Sequence, residues 1–72
     1  MNYRKLRGKV FECFATQSEC AIALGISRTY LNEICNGKKH VTIELASKFI
    51  EVLNLTEKEA IEIFFSSVGW LK

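Results

Sequence analysis

Apolar residues recur along this chain at intervals of three and four, broken by short polar clusters. That spacing puts them on one face of a helix. A first helix is predicted from about Asn2 to Phe14, with Tyr3, Leu6, Val10, Cys13 and Phe14 on its apolar stripe and Arg4, Lys5 and Lys9 off it. Thr16-Gln17-Ser18-Glu19 has the form of a capping box, in which a hydroxyl and a carboxylate satisfy the free amides of a helix start, so a second helix opens after Thr16. It must end near Gly25, a residue that takes the left-handed conformation without steric cost. Ser27 can cap a third helix, and Asn36-Gly37 ends it. Thr42 can cap a fourth, with Ile43, Ala46, Phe49, Ile50 and Leu53 on one face. Thr56-Glu57-Lys58-Glu59 is a second capping box and opens a fifth helix, expected to run to about Ser67.

The turn after Leu24 is very short. Helices joined that tightly cross steeply, which is the geometry of a helix-turn-helix. The expected fold is therefore all-α, five helices in one domain spanning residues 1–72, with the tight pair at 17–36. Size agrees: 72 residues allow one core and little else. Apolar residues make up 49% and charged residues 25%, which separates the chain from disordered polar sequences. There is no proline, and we find no internal repeat. No apolar run approaches the roughly eighteen residues of a membrane span. The start, Asn2-Tyr3-Arg4-Lys5-Leu6-Arg7, is basic without a following apolar stretch, so export is not expected and a cytoplasmic location is.

Charge is unevenly spread. Residues 1–15 carry four cations and one carboxylate, residues 16–40 three and two, and residues 41–72 three and five. The basic half is suited to phosphate, the acidic half to facing away from it. Cys13, Cys20 and Cys35 are odd in number and contain no C-x-x-C pair, which argues for free thiols; Cys13 and Cys20 are expected at core positions. With His40 their spacing matches no zinc pattern. No Gly-rich phosphate loop or paired-carboxylate arrangement supports catalysis, so neither an enzyme, a cofactor nor a small-molecule substrate is expected.

Gln17 to Asn36 reads QSECAIALGISRTYLNEICN and resembles the helix-turn-helix of the phage Cro and CI repressors and their relatives. Ala21 falls where the two helices touch, Gly25 at the turn, and Ile26, Leu31 and Ile34 where apolar residues lock the second helix to the core. Thr16 before the stretch, and Asn36-Gly37-Lys38 closing it, match as well. The C-terminal Ile63-Phe64-Phe65 and the length are similar to small regulators from phages of Gram-positive hosts. Some of those are Cro-like DNA binders; others are modulators of repression that act on a CI-type repressor encoded beside them.

The resemblance implies a repressor-like DNA-binding domain whose third helix enters the major groove of an operator. Ser27, Arg28, Thr29, Asn32 and Glu33 would then face base edges: Arg28 suits guanine O6 and N7, Asn32 adenine, Thr29 a thymine methyl and Glu33 cytosine N4. Gln17, Asn36, Lys38 and Lys39 would contact phosphates, with His40 beside them. Tyr30 is expected to pack against helix 2. A homodimer would set two reading helices roughly 34 Å apart. The alternative partner is a CI-type repressor, whose DNA-binding surface the chain would cover. Three features favour that alternative. A net charge of +2 is small for a protein whose affinity depends on displacing counterions. Glu33 is repelled by phosphate, and the C-terminal segment has more apolar residues than one helix face can bury. Ile61, Phe64, Phe65 and Val68 form one stripe, and Ile63 and Trp70 a second. Glu33, Ile63, Trp70 and Leu71 are accordingly the expected partner surface.

Overall fold

A computed structural model describes residues 1–65. Five helices follow in order: α1 Tyr3–Cys13, α2 Gln17–Leu24, α3 Arg28–Cys35, α4 Ile43–Val52 and α5 Glu57–Phe64. No strand occurs among the described residues. The protein is all-α, and no helix among these residues is long and apolar enough to cross a membrane.

Each helix begins on a side-chain oxygen that accepts from a backbone amide three residues on. Asn2, Thr16, Ser27, Thr42 and Thr56 serve in turn. Such a bond satisfies one of the amides a helix start leaves free and contributes about 1 kcal/mol. At Thr56 the box closes both ways, because Glu59 Oε1 also accepts from the Thr56 amide at 3.0 Å. At Thr16 only the forward bond forms, from the Glu19 amide at 3.2 Å.

Three helices end in one way. At Gly25, Gly37 and Asn54 the backbone turns left-handed. In each case the following amide reaches back five residues: Ile26 to the Ala21 carbonyl, Lys38 to Glu33 and Leu55 to Ile50. This pairing covers carbonyls that the last turn would otherwise expose.

The core is built from every helix. Leu6, Val10, Cys20, Leu24, Leu31, Ile34, Cys35, Phe49, Leu53 and Ile63 are all sealed from solvent. Phe49 is the largest of them, and its ring lies 6.1 Å from that of Phe64. α2 packs on α3 and α4, while α1 bridges α2, α3 and α5. Lys5 to Glu62 at 2.9 Å and Lys9 to Glu59 at 3.0 Å tie α1 to α5.

Several side chains depart from the sequence pattern. Ile43 opens α4 on the predicted apolar face yet is 87% exposed; Leu45 takes the core position instead. Cys13 is exposed at the end of α1, and the buried thiols are Cys20 and Cys35. α5 stops at Phe64, short of the expected Ser67, and Phe65 caps it in a non-helical conformation. Ile63, expected on the partner surface, is wholly inside the core, whereas Ile61 is 47% exposed. The rotation of α5 that satisfies Ala60 and Ile63 turns Ile61 outward. Val68, Trp70 and Leu71 lie outside the described residues.

Candidate nucleic-acid interface

α2 and α3 are joined through Gly25, Ile26 and Ser27. Ala21, Cys20 and Leu24 on one helix and Leu31, Ile34 and Cys35 on the other share the core, so α3 is held by one face only. Its opposite face is open. Arg28, Thr29 and Asn32 are exposed there, and Glu33 is half-buried. Ser27 is also exposed, but its hydroxyl is used as the α3 cap, accepting from the Tyr30 amide at 3.1 Å. Tyr30 is half-buried against the core, as expected for a packing role.

A chain of side-chain hydrogen bonds crosses this open face. Asn32 Nδ2 donates to Gln17 Oε1 at 3.2 Å. Asn36 Nδ2 donates to Asn32 Oδ1 at 3.1 Å. Arg7 Nη1 on α1 approaches Asn36 Oδ1 at 3.5 Å. The first residue of α2, Asn32 of α3, the α3 cap Asn36, and α1 are thus linked through one row of amides. Both ends of the Asn32 amide are engaged, although its second N–H and second lone pair are still available to an outside group. The row holds Gln17 and Asn32 in fixed orientation, which lowers the entropy lost when either meets a ligand.

Arg28 stands beside this row. It borders an open groove of about 400 Å³ with Phe11, Ala15, Thr16, Gln17 and Ser18. The groove therefore offers a guanidinium, polar side chains at the α2 start and one aromatic surface. Phe11 is 54% exposed there, and Ile22, on α2, is 79% exposed. Asn36, Lys38, Lys39 and His40 are all exposed in the connection from α3 to α4. None of Arg28, Glu33, Lys38 or Lys39 belongs to an ion pair among the described residues.

Sequence spacing marks Gln17, Asn32 and Asn36 as three separate candidates. Their connection, and the part played by Arg7, were not legible. Residues 29 positions apart meet only because α1 packs across α3.

The two buried thiols, Cys20 and Cys35, are poor nucleophiles. Burial pushes Cys20 up to about 11, with repulsion from Cys35 and Cys13 adding to it. Burial also raises Cys35, opposed by the nearby Arg7 charge. Among the described residues no group of three or more His, Cys, Asp or Glu side chains is placed to hold a metal ion.

Fold and site together define a small all-α protein with one short helix presented, polar face outward, by a tight turn. Over residues 1–67 the chain matches the model described as "Protein of unknown function (DUF739)", and it belongs to that family. No curated protein and no solved structure matches it.

Proposed function

We propose that α2 and α3 form a helix-turn-helix that places α3 in the major groove of operator DNA, making the chain a phage-type transcriptional regulator of the lysogenic switch. The observation that carries this reading is the face of α3 itself. Arg28, Thr29 and Asn32 are exposed together, and Asn32 is pre-oriented by Gln17 and Asn36. Arg28, with no competing carboxylate partner, makes the chief base contact, two parallel hydrogen bonds to a guanine. Gln17, Asn36, Lys38 and Lys39 bind phosphates and set the register. Ser27 contributes by capping α3 and Glu33 by accepting from a cytosine amine.

A second reading draws on Phe11 and Ile22. Phe11 borders the groove of Arg28, and Ile22 is exposed elsewhere on α2; large exposed apolar groups are suited to a protein surface more than to phosphate. On this reading the same face docks on a CI-type repressor and blocks its access to DNA, with Glu33 pairing with a basic group of that partner.

Fluorescence anisotropy with a labelled duplex from the promoter region of the chain's own gene separates the two. Direct reading predicts specific binding that weakens steeply with salt and falls by about 1–3 kcal/mol in Arg28→Ala. Absence of binding alone, with release of the neighbouring repressor from the same duplex, would overturn direct reading in favour of the modulator.

A further inference from the structure

The four cations of α1 do not share one fate. Lys5 and Lys9 turn toward α5 and are neutralised by Glu62 and Glu59. Arg4 and Arg7 point elsewhere and form no ion pair among the described residues. The Arg4 guanidinium lies over the Tyr3 ring, 5.9 Å from its centre. Arg7 approaches Asn36.

The connection from α3 to α4 runs along this same end of α1. Asn36 meets Arg7. Gly37 sits so close to Tyr3 that a Cβ there would lie 2.9 Å from two ring atoms. His40 borders a pocket with Met1. Lys38 and Lys39, both exposed, lie between Gly37 and His40 in the loop. The loop segment that carries Lys38 and Lys39 is thereby held, through Asn36 and Gly37, against the end of α1 that carries Arg4 and Arg7, and no carboxylate is paired to any of the four among the described residues. The first turn of α1 carries no acidic residue either. Its own amides add positive potential where helices ordinarily favour carboxylates. Collecting like charges in this way destabilises the free protein and is relieved by an anion.

We propose that Arg4 and Arg7 of α1, with Lys38 and Lys39 of the loop, form a phosphate-binding clamp outside the α2–α3 unit. Its ligand is a run of phosphodiester groups. The inference rests on the DNA reading for the identity of that ligand, but the clamp itself follows from the charges alone. Arg7 joins the clamp to the reading helix, because its Asn36 partner is also bonded to Asn32, and through it to Gln17. A phosphate held by the clamp therefore bears on the orientation of the Asn36, Asn32 and Gln17 side chains as well as adding affinity.

Two titrations of the full-length protein test this. In the first, amide chemical shifts are followed while inorganic tripolyphosphate is added. Wild type should show shifts concentrated in residues 3–7 and 36–40, with affinity lowered several-fold in Arg4→Gln and Arg7→Gln. Arg7→Lys should retain most of it, and Lys5→Gln, removing a cation already paired to Glu62, should leave it unchanged. Spectra of each variant show whether it folds. In the second, duplex affinity is measured against salt. Each phosphate that a variant no longer neutralises should reduce the slope of log affinity against log salt by about 0.9, with preference for operator over scrambled sequence preserved. Tripolyphosphate shifts centred elsewhere would overturn the clamp, as would arginine variants that leave both affinity and slope unchanged. A wild type that binds tripolyphosphate at these residues but no duplex would sink the DNA reading and leave the clamp standing. Arg28-dependent duplex binding with silent clamp variants would do the reverse.

Discussion

Gly25 and Gly37 have almost the same backbone conformation, with φ of +75° and +76°, and they differ in what surrounds them. A side chain in the left-handed region costs about 1–2 kcal/mol, so Gly25→Ala should destabilise by about that amount. Nothing else opposes it, since the nearest atom to a new Cβ is the mobile end of Lys48 at 3.7 Å. At Gly37 the same strain is joined by a collision. Tyr3 Cδ1 and Cε1 lie 2.9 Å from the Cβ position and Cγ 3.3 Å. Three atoms of one ring cannot yield independently; the ring must swing off its rotamer or the loop must lift from α1. Forcing a rotamer by some 30° adds about 0.5–1.5 kcal/mol, bringing Gly37→Ala to about 2–3 kcal/mol. The gap between the two variants, about 1 kcal/mol, corresponds to about 4–8 °C in Tm for a domain of this size. Urea melts followed by far-UV circular dichroism measure both, provided the m-values stay equal. If the two variants lose the same stability, Tyr3 is not packed beneath Gly37, and the placement of the α3–α4 loop against α1 fails with it.

Other outcomes follow from burial and charge. Ile63→Ala should cost about 2–5 kcal/mol in the same melts, whereas Ile61→Ala, on the exposed side of α5, should stay within about 0.5 kcal/mol; equal effects would refute the rotation of that helix. A thiol reagent should label Cys13 rapidly in the native protein and all three cysteines after denaturation, with fast native labelling of Cys20 or Cys35 contradicting their burial. The Glu59 carboxyl is held below its ordinary value by its backbone bond at Thr56 and then by Lys9. A depressed folded-state value contributes stability above the ordinary carboxylate range. That contribution is lost as pH falls through the range toward the folded value. Glu59→Gln should therefore flatten the acid limb of a stability–pH profile, and an unchanged limb would dismiss the bond as a stabilising element.

Local chemistry carried most of what could be read along the chain. Thr16, Ser27, Thr42 and Thr56 each cap the helix expected after them, and Gly25 and Gly37 each turn left-handed where a helix ends. These signals act across three to five residues, so they survive without knowledge of the fold. The Asn54 turn is of the same kind but is less visible, because asparagine occupies the left-handed region only as one choice among several.

The number, order and starts of the helices, and the short turn that pairs α2 with α3, are therefore written in the chain itself. Which apolar residues form the core is a matter of packing. Ile43 and Ile63 fit a helical stripe equally well, yet one is exposed and the other sealed, because burial depends on how each helix is rotated against its neighbours. The same holds for charge. Arg4, Lys5, Arg7 and Lys9 are indistinguishable as a basic run, and packing alone sends two of them to the carboxylates of α5 and leaves two without such partners, Arg7 against the cap of α3 and Arg4 over Tyr3. Periodicity fixes spacing along one helix, whereas partners are assigned by contacts between helices far apart in the chain.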